Sequence, residues 1–376
     1  MKTVLVTGSS GFIGKNLIER LMQCEDVDIL AFDQENESSN LIDFVKKADI
    51  IFHLAGVNRP EKEDEFKSGN VGLTQQIIDI LEESGKNTPI VFSSSIQAAL
   101  ENPYGQSKKD AEDALVAYGR KQKTDIFIYR FHNVFGKWCR PNYNSVVATF
   151  CHNISHGQDI VISDESKEID LVYIDDVVNE IVSILFQKPI HIQDRFYEIK
   201  ETFQITLGDL AQRIYQLRDM RATLIVPDMS DRLTRCLHAT YLSYLDKKDF
   251  SYKLNSKMDE RGMLTELIKS KHFGQVFVST SGKGIVRGSH YHNTKIEKFC
   301  VLTGEAVIRF RHIFNDEILS YPVSGKSLEV VDIPPGYTHS IENTGEGDIV
   351  VLFWANQMFD SNQPDTYYCE VTNEQD

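Results

Sequence analysis

The chain has 376 residues, 41% of them hydrophobic and 10% aromatic, which suffices for ordinary packed cores in roughly two to three domains. Its 40 Lys and Arg against 55 Asp and Glu give a formal charge of −15, with no basic run to neutralise phosphates, so nucleic acid and anionic membranes are excluded as main partners. Six cysteines without CxxC spacing read as reduced thiols, and no apolar run approaches the ~18 residues of a membrane span. No leader pattern precedes the first strand, so a cytoplasmic protein is expected.

In chain order, Thr3–Thr7 is a short apolar strand, Gly8, Gly11 and Gly14 follow, and Ile13, Leu17, Ile18 and Leu21 then repeat at helical period. Strand, glycine turn and helix open a βαβ unit whose backbone amides and helix dipole face an anion, for which a pyrophosphate is the natural occupant. Further strands are expected at Val27–Phe32, ending on Asp33, and at Ile50–Leu54, Ile90–Phe92 and Ile126–Arg130. Helical patterns at Thr74–Leu81 and Asp110–Tyr118 separate them. This alternation predicts an α/β fold, a doubly wound parallel sheet of Rossmann type.

From about Phe135 the pattern loosens into a small lobe, with strands predicted at Ile160–Ile162 and Leu171–Ile174. Helices are predicted at Val177–Phe186 and Leu207–Leu217, the second capped by Thr206. A charged, weakly periodic stretch then marks a linker, dividing the chain into domains at 1–245 and 256–376 with residues 246–255 between them. Beyond it short β runs recur at Met263–Ile268, Gln275–Ser279, Ile285–Arg287, Lys298–Leu302, Glu305–His312, Ser327–Ile333 and Ile349–Trp354. They predict an antiparallel double sheet or small barrel.

Two constellations carry chemistry. Tyr104 and Lys108 form a YxxxK pair one helical turn apart, after the Ser93-Ser94-Ser95 run. An ammonium beside a phenol lowers the phenol's pKa toward neutrality and suits it to proton exchange at a carbonyl undergoing hydride transfer. In the C-terminal part, His290 and His292 leave the same face of a strand, Glu297 lies past a turn and His339 returns from a distant hairpin. These are four candidate ligands for one metal ion.

The blocks TGSSGFIG, HLAG, NVGLT, SSS, YGQSK, YRFHNVFG and DLVYIDDV, in that order, resemble the nucleotide-sugar branch of the extended short-chain dehydrogenase/reductase family over residues 1–245. The resemblance implies Tyr104 as general acid, Lys108 orienting the nicotinamide ribose, and Ser95, with Ser94 close behind, sharing the substrate oxygen. It implies cofactor contacts from Gly8, Gly11, Phe12, Ile13, Gly14, Asp33, Leu54, Ala55 and Lys108, places Asn133 beside the sugar nucleotide and gives Arg130 a structural role. Asp33 favours the free ribose hydroxyls of NADH. Reductases of this kind more often use NADPH, with Lys15 or Arg59 to meet the extra phosphate, and NADPH is the reading adopted.

Gly284-x5-His290-x-His292-x4-Glu297-x6-Gly304 and Pro334-x-Gly336-x2-His339-x3-Asn343 resemble the two motifs of the cupin family, a jelly-roll barrel, with Leu328 in place of one turn glycine. That resemblance implies one divalent metal on His290, His292, Glu297 and His339. Zinc is adopted over iron, manganese or nickel because no redox chemistry is required of it. His312, Lys295, Tyr337 and Tyr321 are further candidate acids or bases near the motifs.

KMDERGMLTE followed by IVRGSHYH is similar to sugar-nucleotide epimerases built on the same barrel. The combination resembles the bifunctional capsular-polysaccharide enzymes of bacteria along essentially the whole chain. It implies C3 epimerisation of a UDP-2-acetamido-2,6-dideoxy-4-hexulose by the cupin and reduction of the C4 ketone by the first domain. The implied product is UDP-2-acetamido-2,6-dideoxy-L-talose, a precursor of UDP-N-acetyl-L-fucosamine, and a homodimer is expected. An alternative keeps NAD tightly bound, making the first domain an epimerase or dehydratase and the cupin a non-catalytic sugar-binding or assembly module.

Overall fold

Strands with apolar residues at odd and even positions alike can leave neither face to water, and this rule organises the N-terminal part of the chain. The computed structural model describes residues 1–58, 62, 66–187 and 195–372. In chain order the N-terminal elements are β1 (Lys2–Thr7), α1 (Phe12–Leu21), β2 (Val27–Phe32), α2 (Ser38–Lys47) and β3 (Ile50–His53). A π-helical turn, Lys67–Gly72, leads into α3 (Leu73–Ser84), followed by β4 (Ile90–Ser95), α4 (Pro103–Gln122), β5 (Ile126–Phe131) and β6 (Asn133–Phe135). Then come α5 (Val146–Ser155), β7 (Glu168–Tyr173), α6 (Ile174–Ser183), β8 (Phe196–Tyr197), β9 (Phe203–Thr206), α7 (Leu207–Thr223) and α8 (Arg232–Leu242).

Six strands pair in parallel in the order β2-β1-β3-β4-β5-β8. Val4, Val6, Phe52, Val91, Phe127 and Tyr129 enter the core that α1 and α6 cover. Their neighbours Leu5, Ile51, Ile90, Phe92, Ile126 and Ile128 enter the opposite core, under α2, α3 and α4. Strands β6, β7 and β9 make a separate small sheet. Thr206 caps α7 by accepting the Asp209 N–H at 3.1 Å. Ile160–Ile162 form no strand; Val161 is 91% exposed, an apolar run with no neighbouring strand to receive it. Among the described residues no helix is long and apolar enough to cross a membrane.

The described residues divide into two compact units, one of Met1–Ile214 with Arg235–Leu245, the other of Tyr215–Thr234 with the chain from Asp246 onward. Segment 215–234, expected in the first domain, belongs to the second unit because its backbone is stitched to Lys269. Val226 N–H donates to the Lys269 carbonyl and Lys269 N–H to the Leu224 carbonyl, each at 2.7 Å.

The second unit contains β10 (Ser256–Asp259), β11 (Gly262–Ser270), β12 (Gly274–Ser281), β13 (Val286–Tyr291), β14 (Glu297–Thr303) and β15 (Glu305–His312). It continues with β16 (Ile318–Ser324), β17 (Val330–Ile333), β18 (Tyr337–Asn343), β19 (Ile349–Ala355) and β20 (Tyr367–Tyr368). They form two antiparallel sheets, β10-β11-β12-β19-β14-β17 and β16-β15-β18-β13-β20. Alternate residues of both sheets, among them Phe299, Val301, Ile308, Phe310, Ile341, Val351 and Phe353, fill a shared core. Leu328 is exposed in the turn between β16 and β17, so that β17 starts at Val330 and not at the predicted Ser327.

Inside the first unit, fully buried Glu112 of α4 accepts two bonds from Arg130, at 2.8 and 2.6 Å, and one from Ser94 at 2.6 Å. Glu112→Ala leaves a guanidinium and a hydroxyl without their acceptor and is expected to cost about 3 kcal/mol of unfolding free energy. Lys109→Ala, which breaks an exposed i,i+4 pair with Asp113, is expected to cost less than about 1 kcal/mol. Urea unfolding of the two variants checks the contrast.

Candidate active site and metal centre

Strand β1 is flanked by β2 on one side and β3 on the other, so the chain's winding reverses there and a crevice opens beyond the carboxyl ends of β1 and β3. Gly8 lies at its mouth with φ of 70°, and a Cβ on it would stand 2.7 Å from the Ala55 nitrogen. A Cβ on Gly14 would stand 2.1 Å from the Gly8 carbonyl, so the helix can approach the loop only through glycine. Gly11 caps α1 without a side chain, which leaves the first-turn amides facing the crevice. Phe12, Ile13 and Leu54 turn their side chains into the core.

Asp33, just past β2, accepts the Ser10 N–H at 2.8 Å and the Ser10 hydroxyl at 2.5 Å on one oxygen, and the Gln34 N–H at 2.7 Å on the other. Burial alone would raise its pKa; the Ser10 and Gln34 bonds, with help from Lys15, bring it below the ordinary value. Both a cradle free of side chains and an ionised acceptor at the strand end fit a dinucleotide. Arg59 lies outside the described residues.

Behind the crevice a chain of hydrogen bonds has a defined direction. Thr74 Oγ1 donates to the Asn70 carbonyl at 2.7 Å, so it accepts from His53 Nε2–H at 2.9 Å; His53 Nδ1 then accepts from Thr7 Oγ1 at 2.8 Å. Burial, and secondarily the charge of Lys108, pushes the His53 pKa down to about 3, which keeps the ring neutral. Asn70 continues the network, bonding Val57 and Ser107. Sequence reasoning did not single out these residues, although HLAG and NVGLT contain three of them, His53, Asn70 and Thr74.

The three serines of β4 separate by their partners. Ser94 is tied to Glu112 and Ser93 Oγ to the His53 carbonyl, whereas Ser95 Oγ accepts the Gln97 N–H at 3.2 Å and lies beside the Tyr104 phenol. Burial raises the Tyr104 pKa, the neighbouring Ser95 hydroxyl opposes the rise and Tyr143 adds to it. This differs from the expected depression by Lys108, and the reason is geometric: the Lys108 ammonium donates to the Ser93 carbonyl at 3.0 Å. Burial drives the Lys108 pKa down to about 8, against the pull of Glu112. Asn133 is exposed and bonds the Asp170 carbonyl at 3.1 Å, and Arg130 is the partner of Glu112 described above.

In the second unit, His290, His292, Glu297 and His339 bring one ligand atom each within 4.8 Å of one another. His290 and His339 are paired residues of β13 and β18, so their side chains share a face. A bulge at Gly288 and Ser289, with φ of 101° and 58°, sets that register. Nε2 of His292 and of His339 are buried without a hydrogen-bond partner, while Glu297 Oε2 lies 3.4 and 3.7 Å from them. Burial pushes the His339 pKa down to about 3 and also lowers that of His290. Glu297 stays below its ordinary value despite burial because His292, His339 and His290 surround it.

Buried imidazole nitrogens without hydrogen-bond partners around a carboxylate fit a divalent cation. His312 is not among them: it packs on Tyr337, and Phe314 N–H donates to its Nδ1. Tyr321 packs on Phe310, and Lys295 donates to the Pro364 carbonyl and Thr366.

Residues 4–194 match the NAD dependent epimerase/dehydratase family, and residues 257–367 match the polysaccharide biosynthesis C-terminal domain. Over 368 residues, 98% of both chains, the protein is 42% identical to UDP-2-acetamido-2,6-beta-L-arabino-hexul-4-ose reductase of Pseudomonas aeruginosa. The crystal structure of the capsular polysaccharide assembling protein CapF from Staphylococcus aureus superposes with a TM-score of 0.92 at 46% identity, covering 98% of this chain and all of that one. UDP-glucuronic acid 4-epimerase from Bacillus cereus shares the fold at 17% identity and a TM-score of 0.55, over 64% of this chain and 98% of its own. The chain belongs to the NAD dependent epimerase/dehydratase family, in the CapF-like branch that joins it to a polysaccharide biosynthesis C-terminal domain.

The state of Lys108 has a pH consequence. Below about pH 8 its ammonium is charged in both folded and unfolded chains and burial penalises the fold. Between 8 and the ordinary lysine value the folded chain releases the proton first, so this penalty fades and the group's contribution to stability rises with pH. Activity with a nicotinamide cofactor is therefore expected to fall through an alkaline limb near pH 8, with no matching loss of fold from this group. Rate and unfolding midpoint measured from pH 6.5 to 9.5 separate the two.

Proposed function

We propose that the chain is a bifunctional nucleotide-sugar enzyme of bacterial capsular polysaccharide synthesis, working as a cytoplasmic homodimer. Its C-terminal unit, read as a zinc cupin, epimerises C3 of a UDP-2-acetamido-2,6-dideoxy-4-hexulose. Its N-terminal unit reduces the C4 ketone with NADPH to UDP-2-acetamido-2,6-dideoxy-L-talose, a precursor of UDP-N-acetyl-L-fucosamine. The observation that carries this reading is the match to the Pseudomonas aeruginosa reductase over 98% of both chains, because it spans both sites at once.

A nicotinamide bound at Gly8, Gly11, Gly14 and Asp33 would supply the hydride for C4. Tyr104, which burial keeps protonated, donates its proton to the ketone oxygen as negative charge develops there, and Ser95, beside the same phenol, steadies that oxygen. Lys108, fixed on the Ser93 carbonyl, is read as orienting the nicotinamide ribose. A zinc ion held by His290, His292, Glu297 and His339 would supply positive charge at the second site. Inversion at C3 is a proton removal and return, possible because the adjacent ketone delocalises the carbanion as an enolate.

Tyr104→Phe is expected to lower NADPH oxidation by at least about a hundredfold, the scale of one general acid. Solvent deuterium should still enter C3 of the substrate, read by mass spectrometry; loss of both activities would overturn the two-site reading.

NADPH is preferred in this reading because exposed Lys15, the cation beside Asp33, can meet the extra phosphate and offset the carboxylate, which by itself favours free ribose hydroxyls. Turnover with NADPH should exceed that with NADH, and Lys15→Ala should narrow the gap by about tenfold, the worth of one charge-assisted bond. A native preference for NADH would reverse the assignment.

A further inference from the structure

The turn that joins His292 to Glu297 is held from outside by a residue close to the C-terminus. Asp365 Oδ1 accepts the Asn293 N–H at 3.0 Å, and Oδ2 accepts the N–H groups of Thr294 and Lys295 at 2.9 and 2.8 Å together with the Thr294 hydroxyl at 2.9 Å. Three consecutive backbone amides thus converge on one carboxylate. The carbonyl of the same residue accepts His292 Nδ1–H at 2.6 Å, which leaves the Nε2 lone pair of His292 facing Glu297.

Asp365 reaches both partners by adopting a left-handed backbone, φ 42°, a conformation that Asp and Asn tolerate better than other non-glycine residues. Its surroundings are fixed. Lys295 donates to the Pro364 carbonyl at 2.7 Å, Cys369 N–H to the Ser289 carbonyl at 3.0 Å, and Arg311 to the carbonyls of Glu370 and Val371 at 2.7 and 3.0 Å.

We infer that Asp365 is a positioning residue for the metal-binding cluster. Its carboxylate sets the turn between two ligands and its carbonyl selects the tautomer in which His292 can ligate through Nε2. Partners of this kind orient ligands and tune their basicity, and losing one typically weakens metal binding about 10–100-fold.

The inference rests on reading His290, His292, Glu297 and His339 as metal ligands, and the experiment keeps the two apart. Zinc affinity of the full chain is measured by competition with a chromophoric chelator, for the native sequence, Asp365→Asn and Thr294→Val. Asp365→Asn preserves size, backbone preference and carbonyl but turns one acceptor into a donor facing the turn's N–H groups. It is expected to weaken zinc binding about 10–100-fold and to alter the visible spectrum of the cobalt-substituted protein. Thr294→Val, which removes only one of the four side-chain contacts, should weaken binding less than Asp365→Asn does. In the metal-free native protein, nitrogen NMR should find His292 protonated on Nδ1, a readout that needs no variant to fold.

A native chain that binds no zinc overturns both readings. Native and Asp365→Asn chains with equal affinity and equal cobalt spectra overturn this inference alone, even if the variant unfolds at a lower temperature. A His292 ring that carries no proton on Nδ1 overturns it as well.

Discussion

A polar group taken out of water must find its partner inside the protein, and this constraint separates the two kinds of buried histidine in the chain. His53 and His339 are both almost fully buried, and burial pushes both pKa values down to about 3, so their titration does not distinguish them. Their hydrogen bonds do. His53 has Thr7 on one nitrogen and Thr74 on the other, and it acts as a strut joining the ends of β1 and β3 to α3 behind the dinucleotide crevice. His339 leaves Nε2 unmatched, as does His292, and the two face Glu297. A satisfied imidazole is architecture; unsatisfied ones around a carboxylate have the chemistry that fits a cation.

The parallel sheet was legible in the sequence because its signal is local and redundant. Each of the runs beginning at Thr3, Val27, Ile50, Ile90 and Ile126 is apolar on both faces, and each is a strand. The second unit was harder to read, since β16 carries a proline within its run and β18 is polar apart from Tyr337 and Ile341, and both gain their order from paired neighbours. β18, which places His339, is held between β13 and β15. Asp365 escaped notice for the same reason: it belongs to no motif and lies in an irregular segment, and its role exists only once the chain folds back on the turn at 293–295.

The Tyr104 and Lys108 pair shows where spacing misleads. Positions i and i+4 on α4 put both side chains on one face, yet shared face does not fix distance or dominate burial. Lys108 is drawn to the Ser93 carbonyl, and the phenol, with Ser95 as a neighbour, is governed by desolvation. A raised phenol pKa suits the reductive direction, in which Tyr104 must hold a proton until charge develops on the substrate oxygen. A depressed one would suit oxidation, in which the phenolate takes a proton. The same helix also carries Glu112, whose buried carboxylate ties α4 to β4 and β5 through Ser94 and Arg130 and so fixes the scaffold under the pair.

The order of the two proposed reactions follows from the substrate's own chemistry. Removal of the C3 proton is feasible only while C4 is a ketone, because the carbanion is then an enolate; once C4 is an alcohol, that stabilisation is gone and C3 is locked. Reduction is therefore the committing step, and reduction before inversion would strand the sugar with the wrong C3 configuration. The reductase site must favour the inverted ketone by its differential binding of the transition state, as any enzyme discriminates between competing substrates. Selection among ketones that differ only at C3 falls to groups that touch the sugar ring beside C4. In the proposed reaction Ser95 and Tyr104 are the groups of the N-terminal unit assigned to the C4 oxygen, so selection would act through them.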